Sequence, residues 1–145
     1  MEKYKSTKVK FVYYNLEDEL ETENVWADKE GQYYRIKNIP FFAPNIAYDD
    51  LISVEDDEGE LFYDDIIEES GNSTVQVIIF DEKNIESVTT DLNNLKCGWE
   101  GSHLKGYIAV NIPKIIDYKP IKDYLSDKAE AGVLDYKEAC LAHNL

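Results

Sequence analysis

The hydrophobic pattern changes period near residue 80, and this change limits the folds open to the chain. Before residue 80, apolar and polar residues alternate in short stretches, as around Val9, Phe11 and Tyr13, which is typical of β-strands with one buried face. After it, apolar residues recur every three or four positions over 85–95, which indicates an amphipathic helix. The two patterns in succession predict an α+β fold.

The first half is predicted to be a run of short antiparallel strands. Turn residues such as Gly31 and Gly59 separate the alternating stretches. The segment 38–44 contains Pro40 and Pro44, which exclude a helix interior, so we expect an irregular apolar segment against the core. The strands are predicted near residues 7–14, 24–28, 32–37, 51–55 and 60–68, with a loop at 16–23. Such a series is typical of a small barrel or a curled sheet.

The second half is predicted to be ferredoxin-like. The pattern predicts a strand at 74–80, a helix over 85–95, a hairpin of 99–103 with 107–112, a helix over 120–128 and a C-terminal helix over 136–143. The order strand–helix–strand–strand–helix matches most of a ferredoxin-like unit. No low-complexity linker separates the halves. We therefore interpret residues 1–145 as one compact domain with a β-rich subregion, 1–72, and a ferredoxin-like subregion, 73–145.

The composition indicates a folded and strongly acidic protein. Hydrophobic residues make up 43% of the chain, more than disordered chains usually contain, although the net charge is -15. Arg35 is the only arginine, and residues 1–72 hold 19 of the 30 acidic residues. Nucleic acids and anionic membranes attract clustered cations, so the sequence excludes both and favours a basic protein as partner. Because the sequence has neither an apolar run of the roughly 18–20 residues that a membrane span needs nor a signal-peptide pattern, we expect a cytoplasmic location.

Eleven acidic residues lie between Asp49 and Glu69, with no lysine or arginine among them. They are Asp49, Asp50, Glu55, Asp56, Asp57, Glu58, Glu60, Asp64, Asp65, Glu68 and Glu69. Three interpretations stay open: a solvated hairpin whose charges prevent aggregation of an edge strand, a binding surface for a basic protein, and a metal site. Val54 stands where an EF-hand calcium loop places its first acid, so any calcium binding is expected to be weak.

Candidate catalytic residues are few. His103 falls on the predicted hairpin and could pair with Cys97 as base and nucleophile, but a surface histidine beside a core thiol is the simpler interpretation. His143 lies in the last three residues, where chain ends fray. Cys97 and Cys140 belong to no CxxC pair, so a zinc site is unsupported and two reduced, half-buried thiols are expected. The sequence predicts no enzyme activity, no cofactor and no metal.

Three aromatic residues, Trp26, Phe41 and Phe42, form an alternative candidate site. Phe41 and Phe42 directly follow Pro40, and successive side chains of an extended chain point to opposite sides. One ring could therefore line a ligand pocket or an interface. Packing of the rings in the core is the other interpretation.

Several stretches together resemble one protein family. They are 25–27, 34–43, Asp49 or Asp50, 70–75, 97–100, 110–113 and 136–139, and the string Asn38-Ile39-Pro40-Phe41-Phe42-Ala43 is the most specific of them. The chain is similar in these stretches to the uncharacterised bacterial domain-of-unknown-function family 4265. The resemblance implies a small bacterial cytoplasmic domain and brings no activity with it.

The leading hypothesis from the sequence is a non-catalytic protein-binding module, most concretely an immunity protein that neutralises a cognate basic bacterial toxin. In that case the eleven acidic residues from Asp49 to Glu69 are the contact set, because an acidic protein can mimic the phosphate charges that such a toxin binds. The alternative is a regulatory or small-molecule-binding domain with a pocket near Trp26, Phe41 and Phe42. An enzyme that uses a pair of carboxylates is a third hypothesis.

Overall fold

The computed structural model describes residues 6–143, which form nine strands and two α-helices. In chain order these are β1 (Ser6–Tyr14), β2 (Leu20–Glu30), β3 (Tyr33–Ile36), β4 (Leu51–Asp57), β5 (Glu60–Glu68), β6 (Ser73–Ile79), α1 (Ile85–Asn94), β7 (Gly98–Gly101), β8 (Tyr107–Ile112), α2 (Lys119–Glu130) and β9 (Leu134–Cys140). Neither α1 nor α2 is long and apolar enough to cross a membrane. The α+β class predicted from the sequence is confirmed.

Strands β1 to β5 close into a barrel. Each pairs antiparallel with the next, and parallel pairing of Val9 with Leu61 and of Lys10 with Phe62 joins β1 to β5. Alternate residues such as Val9 and Val25 are fully buried in the barrel core, as strand periodicity requires. The small barrel predicted from the first half is therefore confirmed, with closure that removes the edge strands.

The β2 strand begins earlier than expected. Leu20 already pairs with Tyr14, and Glu23 lies opposite Phe11, so the predicted loop at 16–23 is too long. The acidic residues that precede Glu23 obscured the strand, although they stay exposed. Glu23 is buried, and its role is described below.

The second sheet has the order β7-β8-β6-β9, with every neighbouring pair antiparallel. The chain order β6-α1-β7-β8-α2-β9 is that of a ferredoxin-like unit, as predicted. Val75, Val77 and Ile79 of β6 pack with Leu92 of α1 and Leu125 of α2 in one core. The helices therefore cover one face of this sheet.

The predicted C-terminal helix over 136–143 is wrong, because this part of the chain forms β9 and pairs with β6. A register shift between Thr74 and Val75 interrupts the alternation, and the strand contains no β-branched residue to mark it. Its polar side chains form hydrogen bonds with α2 and with the residue before it. The Tyr136 hydroxyl lies 2.9 Å from Ser126 Oγ, and Glu138 accepts from the Tyr118 hydroxyl at 2.6 Å. Tertiary partners thus overcome the weak local strand signal.

The residues between β3 and β4, 37–50, are named here the connecting segment, and they lie against part of the opposite face of the second sheet. Gln76 Nε2 donates to the carbonyl of Phe41 at 2.6 Å, and Thr74 Oγ1 donates to the carbonyl of Ile46 at 3.1 Å. The backbone N–H of Asn45 donates to the carbonyl of Ala139 in β9 at 2.9 Å. The prediction of an irregular segment at 38–44 is confirmed, and its hydrogen bonds join the barrel to the second sheet.

Two tyrosines of the α2 region, buried Tyr118 and half-buried Tyr124, lie beside carboxylates. The Tyr118 hydroxyl donates to Glu138 at 2.6 Å, and the Tyr124 hydroxyl donates to Asp91 at 2.7 Å. Burial first, and then the hydrogen bond to Glu138, raises the pKa of Tyr118 far above its usual value. Burial and Asp91 raise the pKa of Tyr124 in the same way.

The free energy of unfolding is therefore expected to fall as the pH rises above about 10. A tyrosine whose pKa is higher in the folded state stabilises the fold fully below its unfolded pKa, and this stabilisation is lost as the pH rises toward the folded pKa. Tyr118→Phe should cost about 1–2 kcal/mol at neutral pH, where a buried hydrogen bond is lost, and should make the alkaline fall shallower. Urea titrations at several alkaline pH values measure both effects.

Tyr14→Phe is a suitable control, because it removes a hydroxyl from an exposed side chain. It is expected to leave the free energy of unfolding at neutral pH unchanged. An alkaline fall of the same steepness in the wild type and in Tyr118→Phe would contradict the prediction.

Candidate functional site

A groove of about 500 Å³ lies where the barrel meets the second sheet, and we name it the aromatic groove. Its lining residues are 13–17 and Glu21 from the barrel, Phe42 from the connecting segment, and Gln76, Ile78, Tyr107 and 135–137 from the second sheet. The volume lies within the range of small-molecule sites. Residues far apart in sequence therefore form one concave surface.

Aromatic rings form the walls of the groove. The rings of Tyr13 and Phe42 are stacked with centroids 5.9 Å apart, and Phe42 and Tyr107 are tilted with centroids 5.2 Å apart. The ring of Phe41 is tilted against that of Tyr107, with the two centroids 6.5 Å apart. Offset and tilted rings at these separations attract one another, so the wall is a packed aromatic cluster.

Glu23 fixes the position of Phe42. Its buried carboxylate accepts three backbone N–H groups, from Phe41 at 2.6 Å, Phe42 at 2.9 Å and Ala43 at 2.9 Å. Gln76 holds the same segment from the second sheet through the carbonyl of Phe41. Charge-assisted bonds of this kind are stronger than neutral ones, so the groove wall is held in place without a ligand.

The groove has a negative character. The Tyr13 hydroxyl donates to Glu21 at 3.1 Å. Burial, the hydrogen bond to Glu21 and the charges of Glu21 and Glu23 raise the pKa of Tyr13 to about 12. Burial and the charge of Glu23 also raise the pKa of Tyr107. The electrostatic field near the rings therefore disfavours added negative charge.

Apolar side chains rim the groove and face solvent. Leu16, in the turn between β1 and β2, is 99% exposed, and Tyr14 and Ile78 are also exposed. Large apolar side chains that cluster beside a concavity are typical of binding surfaces. The groove thus offers apolar area that the fold itself does not use.

The acidic residues predicted as a contact set lie mainly on β4, β5 and their turn. Glu58 and Gly59 both have positive φ, 53° and 91°, and they form a two-residue turn between these strands; the turn predicted at Gly59 is confirmed. Three of the acids form salt bridges: Glu60 with Lys10, Glu68 with Arg35 and Asp49 with Lys37. Seven more are exposed and form no salt bridge within residues 6–143: Glu55, Asp56, Asp57, Glu58, Asp64, Asp65 and Glu69.

Asp50 does not belong to an exposed contact set. It is 3% exposed, and its carboxylate accepts the backbone N–H of Ala47 at 3.0 Å and of Ser70 at 2.9 Å. Burial raises its pKa in spite of these bonds. Asp50 instead fastens the end of the connecting segment to Ser70, two residues beyond the end of β5.

The alternative site is only partly assembled. Phe42 lines the groove and Phe41 supports it. Trp26 lies on the outer surface of the barrel, 45% exposed, with Lys8 Nζ 5.2 Å from the centroid of its ring. It does not line the groove. Strand alternation explains this position, because the neighbours Val25 and Ala27 point into the barrel.

The residues considered for nucleophilic chemistry are dispersed or buried. His103 is exposed in the turn between β7 and β8, whereas Cys97 is buried against the helices. Burial raises the pKa of both free thiols, Cys97 and Cys140, to about 11, so thiolate is scarce at neutral pH. His143 contacts the core: its Nδ1 lies 2.6 Å from the Oγ of the fully buried Ser73.

The sequence does not identify several residues that line or support the groove. Glu23 was assigned to a loop, and Gln76 and Tyr107 looked like ordinary strand residues. The useful signal is the pair Phe41 and Phe42 directly after a proline. Two adjacent rings cannot both be buried on one face of a strand, so one of them is available to line a pocket. The remaining residues belong to other strands, and only the tertiary fold brings them together.

Comparison with known proteins places the chain in a family. No curated protein matches it. The crystal structure of a hypothetical protein from Neisseria gonorrhoeae is similar, with a TM-score of 0.87 and 28% sequence identity, and the similarity covers 99% of this chain and 100% of that one. The family described as a domain of unknown function (DUF4265) matches residues 23–136, from within β2 into β9. The resemblance noted in the sequence is confirmed, and the chain belongs to the DUF4265 family.

Proposed function

We propose that this protein is a non-catalytic cytoplasmic binding module, most concretely an immunity protein that neutralises a basic bacterial toxin. The observation that carries the proposal is a cluster of seven exposed acids on the paired strands β4 and β5 and their flanks, which lack a salt bridge within the described residues. Like charges gathered on one surface repel one another. A cationic partner removes this repulsion when it binds.

The same surface offers an apolar contact. Ile67 of β5 is 43% exposed and lies in sequence between Asp65 and Glu68. In protein interfaces, apolar side chains at the centre slow dissociation, whereas charges at the rim speed association. We infer that Ile67 supplies a central contact and the surrounding carboxylates steer the basic partner.

Charge reversal tests the proposal. The variant carries lysine at Glu55, Asp57, Glu58 and Glu69, whose side chains form no hydrogen bond among those found in residues 6–143. We expect the association rate constant at low salt to fall by about tenfold or more, and its salt dependence to flatten. The partner is first captured from a lysate of the native bacterium with the wild-type protein and then purified. Surface plasmon resonance at several salt concentrations measures the rates.

A matched control separates a local surface from overall charge. It carries lysine at four exposed acids of the helices, Glu86, Asp123, Asp127 and Glu130, and so has the same net charge. The control should associate at close to the wild-type rate. Equal losses in both variants, or an unchanged rate in the first, would show that the acidic surface is not the interface.

The aromatic groove favours a second function, a regulatory or small-molecule-binding domain. The groove is concave, lined mostly by apolar groups and held in place by Glu23 and Gln76, as preformed ligand sites are. A ligand that binds only the folded state raises the melting temperature. A thermal-shift screen of small molecules tests this function, and stabilisation that Phe42→Leu abolishes would support it.

A further inference from the structure

The walls of the aromatic groove suit a ligand with an apolar body. The rings of Tyr13, Phe42 and Tyr107 line the groove and form one packed cluster. Leu16 and Ile78 add exposed apolar area at its margin. Burying these groups against another apolar surface is favourable, because it removes them from water.

The charges around the groove suit a cation. Among its lining residues Glu17, Glu21 and Asp135 are acidic, and Lys137 is basic. Glu21 lies at the aromatic wall, where it accepts from the Tyr13 hydroxyl and from Asn15 Nδ2 at 2.8 Å. A carboxylate has about four lone-pair positions, so Glu21 retains capacity for a charged donor. The faces of the tyrosine and phenylalanine rings also attract cations.

The groove is also rigid enough to recognise a small ligand. Three backbone hydrogen bonds to Glu23 hold the segment that carries Phe42, and Gln76 fastens it from the other side. A site ordered in advance loses little conformational freedom when a ligand binds. Its volume of about 500 Å³ suits a single small molecule.

We propose that the aromatic groove binds an organic cation with an apolar or aromatic body, whose ring or chain packs on Tyr13, Phe42 and Tyr107 while its ammonium group faces Glu21. This inference rests on the second proposed function and names its ligand class. It is independent of the acidic surface on β4 and β5, so failure of one leaves the other standing.

Phenethylammonium is a suitable probe, because it joins one aromatic ring to one ammonium group. Phenylpropionate has a similar ring and length with the opposite charge. Both are titrated into the isotopically labelled full-length protein at about 0.15 M salt, which screens the general attraction of an acidic protein for cations. Backbone amide chemical shifts report affinity and location together. We expect saturable changes at the groove with a Kd of about 1 mM for phenethylammonium, and binding at least about tenfold weaker for phenylpropionate.

Two variants make the test specific. Glu21→Gln keeps an oxygen for the Tyr13 hydroxyl but removes the charge, and we expect it to weaken phenethylammonium binding by about tenfold. Glu130→Gln removes an exposed charge from α2 and should leave the affinity unchanged. Equal affinity for the two probes, shifts confined to β4 and β5, or an unaltered affinity in Glu21→Gln would each overturn the proposal. If the shifts lie in the groove but the affinity does not depend on the charge of the probe or of Glu21, the second proposed function survives and only the ligand class is wrong.

Discussion

Replacement of Glu23 by alanine is expected to lower the free energy of unfolding by about 3–5 kcal/mol. The carboxylate accepts the N–H groups of Phe41, Phe42 and Ala43, and Ala43 is buried. Without the carboxylate, three donors lose their acceptor in a place that water reaches poorly. Each such loss costs about 1–3 kcal/mol, and partial hydration of the half-buried positions reduces the total.

Urea unfolding of the wild type, Glu23→Ala and Glu23→Gln measures this effect. Glutamine keeps one acceptor oxygen, so its loss should be about half that of alanine. Glu21→Ala, at an exposed position near the start of the same strand, is the position control and should cost less than about 1 kcal/mol. A Glu23→Ala protein within about 1 kcal/mol of the wild type would show that the connecting segment does not depend on this carboxylate.

Gly106→Ala is expected to have the second large effect, a loss of about 3–4 kcal/mol. Gly106 has φ +81°, and a Cβ atom there would lie 2.5 Å from the carbonyl oxygen of Ile79. The backbone would have to move apart, although the N–H of Ile79 donates to the carbonyl of Gly106 at 2.7 Å. The substitution therefore combines an unfavourable backbone conformation with a clash against β6.

Gly31→Ala separates these two contributions. Gly31 also has a positive φ, +63°, but a Cβ atom there meets nothing within 4 Å. Only the conformational cost remains, about 1 kcal/mol. Thermal or urea unfolding of both variants gives the comparison, and equal losses would show that the contact with Ile79 relaxes without cost.

The sequence predicted the barrel well because its strands follow simple rules. Alternation in β1 and the glycine turns at Gly31 and Gly59 are local signals, and the structure follows them. Burial of one strand face is a strong requirement, since a slip of one residue would turn the apolar side chains outward. Such features can be deduced from neighbouring residues alone.

The elements that the sequence mispredicted depend on distant partners. β9 contains Tyr136 and Glu138, whose side chains form hydrogen bonds with Ser126 and Tyr118 of the α2 region. In the sequence Glu23 resembles the surface acids around it, but in the structure the connecting segment lies over it and buries it. In both cases a polar residue acquires its role from a hydrogen bond across the fold, and hydrophobic periodicity carries no record of that bond.

The groove could be predicted only in part for the same reason. The sequence indicates that one ring of Phe41 and Phe42 could line a pocket, but Trp26 is grouped with them by residue type alone. The structure replaces Trp26 with Tyr13 and Tyr107. Proximity in such a site comes from how the barrel and the second sheet meet.

The hydrogen bonds of the connecting segment also bear on how the protein folds as it is synthesised. The segment emerges from the ribosome before β6, yet its carbonyls at Phe41 and Ile46 are bound by Gln76 and Thr74 of that strand. The barrel, too, closes only when Leu61 and Phe62 reach β1, about fifty residues behind it. The nascent N-terminal half therefore exposes an apolar segment until β6 is made, and that interval is when it most needs protection by a chaperone.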